Sequence, residues 1–550
     1  MRNRSGRFRV HWRTNMNATV KFFLLVGAVG LFSACKKDFL SPRQVDLVYN
    51  EVFWSSEKDA EKGVLGIYSL YRGLMVSGQM YDRGDVTTGF FNRGWDGGSS
   101  DMLYLPGNFA DLTGTQKSWG AMESYADWNG YYKVIAQANL VIAHMQSMPE
   151  KLFAKGDKES LLGEAYFLRA LTYYNIATIW GNAPLIDESI ESSNQVINGD
   201  KTLVTKPRSA DVEVMDSVLS DVHTATGLLD YGTPGSAAWG IRANKGSVEA
   251  LAGAADLWMA FLKKRDGQPY SEYITDAVAV LEDVVTNGRY SLVSYSSVDA
   301  IHNMYKGQSS ESVFELNISS DQNETYRVDN GGIEFLTCKL PPLDGDVSKD
   351  RSSSINYVPY SQKQYIYPEY PQDIRANLFF DAWQSTYNEP FSDVSQVATD
   401  RNLVTWMTKF AIFVVDPQHQ WNEYVAYFAE ANIPVFRFTG IKLLLAEAYV
   451  KNNQPDKALA IVNEIRTRAG LGNYAGSDLL GEVLQQRASE LIGEGKIFFD
   501  EIRNNYFPPS SSMTPERYAQ KGYYWPVSSN VLTTNKMVAQ TPYWNGKTTW

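Results

Sequence analysis

The feature that most constrains this chain is a helical hairpin written over residues 438–470. Ile441, Leu444, Leu445, Ala448 and Tyr449 recur at three and four residues, which lines them up on one face of a helix. KNNQPD then makes a turn and places Pro455 at a first helical position, where the N–H that proline lacks has no partner anyway. Ala458, Leu459, Val462 and Ile465 line the second helix, and Gly470 ends it. Neither helix hides its apolar stripe alone. Alanines at the crossing points let the two backbones approach closely.

Two helices in about 33 residues resemble a tetratricopeptide unit. Weaker echoes pair 160–181 with 209–230 and 244–263 with 271–287. Helical spacing also runs through 123–148 (Tyr125, Trp128, Tyr132, Ile135, Asn139, Ile142) and through 158–180 up to Gly181. After Asn287-Gly288, residues Tyr290–Val293 read as extended. Residues 296–435 differ in kind: rings such as Tyr305, Tyr357, Trp383, Trp406 and Trp421 lie among Ser, Asp, Asn and Pro with little periodicity. Only 312–318, SVFELNI, alternates there like a short strand. Long unpatterned stretches are functional loops or disorder, and this aromatic content favours ordered loops. The expected fold class is therefore mainly α. Tetratricopeptide-like helical pairs should pack with an irregular, loop-rich ligand-binding region and a few short strands.

The N-terminus sets the address. Residues 22–32, FFLLVGAVGLF, are an apolar run of eleven after Lys21. Crossing a bilayer takes about 20 apolar residues, so this run reads as a signal-peptide core. Leu31-Phe32-Ser33-Ala34-Cys35 then resembles a bacterial lipobox, with Phe32 where an aliphatic residue is usual. On that reading residues 1–34 are removed and Cys35 is acylated. Met16 is a possible true start. Only Cys35 and Cys338 are present, so an acylated Cys35 leaves Cys338 without an intramolecular partner and no disulfide is expected.

The formal charge is −11, and removing residues 1–34 leaves 45 basic and 62 acidic residues, or −17. Nucleic acid needs a basic footprint, and so does a polybasic membrane patch; neither partner fits. Attachment to a membrane should be through the lipid alone.

No catalytic constellation stands out, and an enzyme is not expected. The mature chain has four scattered histidines (His144, His223, His302, His419) and no His-Glu-x-x-His, so no metal or cofactor is implied. No Gly-x-Ser-x-Gly elbow or Walker loop occurs. GLGNYA at 470–475 fits Gly-x-Gly-x-x-Ala but follows a helix, where a dinucleotide fingerprint follows a strand. Acidic residues are plentiful, yet nothing singles out a glycosidase pair. Arg83-Gly84-Asp85 matches an adhesion tripeptide and is read as a turn. Arg169, Glu447, Arg466 and Arg468 fall on packing helices, where ion pairing explains them better than catalysis does.

A glycan binder needs flat rings for the C–H faces of sugars beside polar groups for the hydroxyls. Residues 79–104 fit that description: Tyr81, Asn92, Trp95 and Asp96 stand among five glycines. The alternative is that these rings merely pack the loop onto the helical body.

Several strings, in order, resemble the SusD/RagB family. They include the mature start CKKDFL (35–40), WNGYYKVIAQANLVI (128–142), GEAYFLRALTYYNIATIWGNAPLI (163–186) and NKGSVEALAGAADLWMA (244–260). Further on come NGRYSLV (287–293), IPVFRFTGIKLLLAEAYV (433–450), ALAIVNEIRTRAGL (458–471), ELIGEGKIFFDEIR (490–503) and YYWPVSSNVLTTNKMVAQTPYW (523–544). Departures include Ala488-Ser489 ahead of Glu490-Leu491 and Ile497 after Lys496.

The resemblance implies a non-catalytic outer-membrane lipoprotein that captures oligosaccharide at the cell surface for a SusC-like TonB-dependent barrel. A second reading makes it a non-catalytic lid or assembly subunit for a peptide or other nutrient, with specificity residing in the barrel. Family ligand residues often fall in an early loop and after a mid-chain strand, which adds Tyr326 and Arg327 to the candidates. The resemblance further divides the mature chain into halves, 35–295 and 296–550, that form one folded unit. The first carries the loop 79–104; the second carries the irregular region 296–435 and the hairpin 438–470.

Overall fold

A computed structural model of the protein describes residues 53–76, 83–88, 90, 92–93, 123, 125–189, 205–318, 327–328, 356–359, 365–380, 384–385, 403–405, 407–421, 424–508, 511 and 513–548. The chain divides into two units, 1–55 and 56–550, and every element named below lies in the second.

Six helices open that unit: α1 (Glu57–Val76), α2 (Asn129–Ser147), α3 (Asp157–Trp180), α4 (Asp211–Thr226), α5 (Lys245–Arg265) and α6 (Ser271–Asn287). Each packs on the next in sequence. Two short helices follow, α7 (Val298–Tyr305) and α8 (Arg375–Leu378). The stack then resumes: α9 (Phe438–Lys451) lies on α6, and α10 (Pro455–Arg468) and α11 (Leu479–Leu491) follow it. The fold is mainly helical, built from tetratricopeptide-like pairs with the mid-chain inserted between α6 and α9.

The hairpin at 438–470 forms as its spacing predicts, with Pro455 as the first residue of α10. Helix α5 begins at an N-cap, Asn244, whose side chain accepts from Gly246 N at 2.9 Å, while Ser247 Oγ accepts from Asn244 N at 2.9 Å. That reciprocal pair satisfies donors the first turn leaves open. Gly253 of α5 faces Leu281 of α6 so closely that any side chain there would collide with it. The small residues of α5 are what bring the two helices together.

Two local expectations change. Within 123–148 the long helix begins at Asn129: Glu123 and Tyr125 are helical too, but the chain breaks before Asn129, whose N–H goes to the Asp127 carboxylate at 2.7 Å. Tyr290–Val293 forms no strand. Ser291 N reaches the Ser310 carbonyl, but Val293 N goes to the Glu311 side chain, so no backbone ladder develops.

The strand at 312–318 is real: β2 (Ser312–Leu316) pairs antiparallel with Ile433–Arg437, closing the two ends of the inserted region together. Within the insertion, Phe413–Trp421 and Tyr424–Ala429 form a hairpin. Pro417 sits where its pairing skips, between Val415 and Gln420, and that strand lies at the sheet edge. A residue with no N–H is tolerated in those places and few others.

Beneath the insertion lies a buried charge network. Arg437 Nε is 2.9 Å from Glu494, its Nη1 is 3.2 Å from Glu311, and its Nη2 is 3.3 Å from Glu490. Arg468 reaches Glu311 at 2.6 Å and Glu490 at 3.0 Å. Arg375 joins Asp373 at 2.6 Å to Glu490 at 3.2 Å, and Lys409 holds Glu494 at 2.9 Å. Four cations meet four carboxylates, so the group is neutral as a whole. Tyr295 and Tyr305 donate to Glu490 and Glu494 at 2.6 and 2.8 Å. Burial opposes ionisation of Glu490, but Arg468, Arg375 and Arg437 hold its carboxyl well below the ordinary range.

Arg169, Glu447 and Arg466 are paired too. Arg169 makes a bidentate contact with Asp221 at 2.7 Å, Arg503 reaches Glu447 at 2.5 Å, and Arg466 reaches Glu369 and Glu482 at 2.6 and 2.7 Å. These are structural roles.

Candidate functional site

The candidate loop 79–104 enters the structure through Arg83–Phe90. Arg83 is fully buried, and its guanidinium carbon lies 4.8 Å from the Trp180 ring, 5.5 Å from Trp525, 5.7 Å from Tyr131 and 6.0 Å from Tyr125. A guanidinium is weakly hydrated and stacks on rings, so an aromatic box suits it where an ammonium would lose more solvation. Arg83 Nη1 also donates to Tyr131 Oη at 2.8 Å, and Nη2 donates to the Tyr125 carbonyl.

Asp85 pins the other end. Its carboxylate accepts the backbone N–H groups of Gly495 and Lys496 at 3.0 Å and of Ile497 at 3.2 Å. These groups lead into α12 (Ile497–Asn504), whose N-terminal donors and dipole favour an anion. Burial pushes the Asp85 carboxyl up to about 6, against the pull of the Gly495 and Ile497 N–H groups and of Lys409. Between the two pins, Gly84 lies so close to the Gly495 carbonyl that a side chain there would collide with it.

Arg83-Gly84-Asp85 is thus neither an adhesion motif nor a surface turn. All three are buried and Asp85 contacts residues some 410 positions away in sequence. No local pattern in the sequence marks the tripeptide as the anchor of the loop.

The segment continues through Thr88, whose hydroxyl bonds the Asp85 carbonyl, to Phe90, which is buried. Strand β1 (Asn92–Arg93) follows and pairs with Asn356–Pro359, Asn92 lying opposite Tyr357. The candidate Asn92 is therefore set against the mid-chain insertion. Arg327 sits in a different sheet, opposite Phe428. Tyr81, Trp95, Asp96 and Tyr326 lie outside the described residues, as do Cys35, Cys338 and the leader 1–34. Phe90 also forms one wall of a cleft with Tyr365 and Tyr506, residues that no sequence pattern singled out.

Among the described residues no group of three or more His, Cys, Asp or Glu is arranged to hold a metal ion. His302 Nε2 lies 2.9 Å from the Thr408 carbonyl, a packing contact. No described helix is long and apolar enough to cross a membrane. GLGNYA follows α10 rather than a strand, as the helix-stop reading requires.

Comparisons with known proteins agree with this architecture. Residues 362–544 match the model of the SusD family, and residues 101–251 match a model described as "Starch-binding associating with outer membrane". SusD-like protein P38 of Formosa agariphila is 23% identical over 96% of this chain and 99% of its own length. SusD-like protein P25 of the same organism is 22% identical over 85% of this chain and 86% of its own. In three dimensions, a SusD homologue from Bacteroides thetaiotaomicron superposes with a TM-score of 0.69 at 23% identity, covering 89% of this chain and 98% of that one. NanU of B. fragilis superposes with a TM-score of 0.68 at 20% identity, over 92% and 99%. Two SusD-type family models thus match this chain in order, and relatives of the same length and solved structures of the same fold are similar to it throughout.

Proposed function

We propose that this protein is a surface lipoprotein of the outer membrane that captures oligosaccharides and delivers them to a SusC-like TonB-dependent barrel. The observation that carries the reading is the match of residues 101–251 to a starch-binding, outer-membrane-associating model, in a chain whose Leu31–Cys35 segment has lipobox form. The chain's role is binding and not catalysis. In this reading the halves 35–295 and 296–550 act as one body, and the loop anchored by Arg83 and Asp85 presents Tyr81, Asn92, Trp95 and Asp96 to the ligand, with Tyr326 and Arg327 nearby.

A glycan array probed with residues 36–550 tests the capture step. Stacking of a ring on an aromatic is worth about 1–3 kcal/mol in nucleic-acid binders, so Trp95→Ala is expected to weaken binding of the captured glycan about five-fold or more. The melting temperature should hardly move. A variant that binds normally, or that simply unfolds, removes Trp95 from the ligand surface.

Delivery is tested by affinity purification from detergent extract. A lid must bury more than about 1,000 Å² to stay on its barrel, so a TonB-dependent barrel should co-purify in near-equal amount. Recovery of the protein alone, under conditions that preserve other outer-membrane complexes, argues for a free-standing binder. A barrel partner together with an empty glycan array would favour the lid reading, with specificity in the barrel.

A further inference from the structure

Below the base of the anchored loop, a cleft of about 160 Å³ opens between Phe90, Tyr365, α11 and the chain that leaves α12. An apolar cavity of about 150 Å³ accepts benzene, so this one has room for a single six-membered ring. Tyr365 and Tyr506 at its rim are 43% and 50% exposed, large rings left in water where a core would have covered them. Its polar lining includes Gln485, Asp500 and Glu501 and, among the described residues, contains neither lysine nor arginine.

Glu501 is the unusual member. It is 6% exposed, and its Oε2 has no hydrogen-bond partner among the described residues. Asp500 beside it is fully engaged by Arg487 at 2.7 and 3.0 Å and by Arg503 at 2.7 Å, so no guanidinium is turned to Glu501. Burial pushes the Glu501 carboxyl well above its ordinary range, and the nearby Asp500 and Asp85 add to the effect. In the protonated form that burial favours, the group can both donate and accept a hydrogen bond. An orphaned buried polar group costs the fold stability, and no described neighbour offsets that cost. A ligand hydroxyl would.

We propose that this cleft binds one neutral sugar ring of an oligosaccharide, with Tyr365 and Tyr506 flanking its C–H faces and Glu501 hydrogen-bonded to a hydroxyl. Gln485 Nε2 is occupied by the Ile366 carbonyl at 2.9 Å, which leaves the amide oxygen as a further acceptor. A uronic or sialic acid is disfavoured, since its carboxylate would meet Glu501 with no lysine or arginine among the described lining residues. An aromatic side chain of a peptide would fill the volume but leave Glu501 unsatisfied. The cleft would hold one ring of the oligosaccharide; this rests on the glycan reading above.

The test uses the full-length protein in a non-glycosidic detergent. Calorimetry is run against malto-, cello-, manno- and xylotetraose and against tetragalacturonate. A neutral sugar should bind, and Tyr506→Ala, at a half-exposed position, should weaken it about five-fold or more. Glu501→Leu should weaken it similarly while raising the melting temperature, because it removes an unsatisfied buried group. Glu501→Gln should keep most of the affinity, since an amide still donates and accepts. Wild-type affinity in both Tyr506→Ala and Glu501→Leu, for a sugar that Trp95→Ala loses, overturns the cleft and leaves glycan capture standing. Preference for tetragalacturonate, weakened by Tyr506→Ala, overturns the neutral-sugar assignment. No binding of any sugar overturns the cleft together with the capture reading.

Discussion

Arg437→Met is expected to lower the protein's stability by about 3–5 kcal/mol, because it removes one charge from a buried set that is otherwise neutral. Arg437 touches Glu311, Glu490 and Glu494, whose side chains are 1%, 0% and 3% exposed, so water does not replace it. Three cations would then face four carboxylates, and at least one carboxylate must be left charged and unpaired or take up a proton. Methionine matches much of the arginine stem, so the loss is electrostatic rather than a cavity. Urea unfolding measures the effect as a lower midpoint at an unchanged m-value. Lys62→Met provides the control: Lys62 is 53% exposed in its pair with Asp59, and an exposed pair is worth about 0–1 kcal/mol. Equal shifts in the two variants would mean that the network adds nothing beyond a surface pair.

The same network has a pH signature in the wild-type protein. Glu490 titrates below its unfolded value, so its share of stability is complete above about pH 4.3 and is lost only as pH falls toward the lower folded value. Acid should therefore begin to erode this contribution below about pH 4.3 and remove it progressively as pH falls further.

In cells without a barrel partner, Cys35→Ala is expected to abolish membrane retention almost completely. One acyl chain gives marginal, reversible attachment, and stable anchoring takes at least two, at about 0.8 kcal/mol per buried CH₂. In the lipoprotein reading, diacylglycerol and the N-acyl chain both depend on the Cys35 thiol and its processing. With a net charge near −17, the mature chain is not expected to hold to anionic lipid by charge. Fractionation and fatty-acid labelling check this. The variant should leave the membrane fraction and take up no label. Unchanged retention with continued labelling would mean that the anchor lies elsewhere.

How much of this was readable before the structure depends on the range of each interaction. Helices α5, α6, α9 and α10 were legible because periodicity, alanine content, Pro455 and the stop at Gly470 are local, and each helix then packs on its neighbour in sequence. The hairpin of Phe413–Trp421 with Tyr424–Ala429 was missed because Pro417 argues against a strand unless the edge and the skip in pairing are known.

The candidate site divides the same way. Rings beside glycines in 79–104 marked a loop suited to sugars, and composition alone suggested it. What anchors that loop could not be read there. Arg83 needs rings from three separate segments, and Asp85 needs the N–H groups that lead into α12.

Arg437 and Glu311, 126 residues apart, are ordinary charges in a linear chain and become a neutral pair only once β2 meets Ile433–Arg437. Nothing in the sequence sets Glu501 apart from the chain's other acidic residues. Its burial beside Asp500, with both guanidinium neighbours already taken, is what makes it a candidate ligand group. Sequence by itself determined the helical stack and the membrane address expected of the chain, since both rest on patterns a few residues long. Tertiary structure alone decided which charges cancel and which polar group is left without a partner, because desolvation depends on everything packed around an atom.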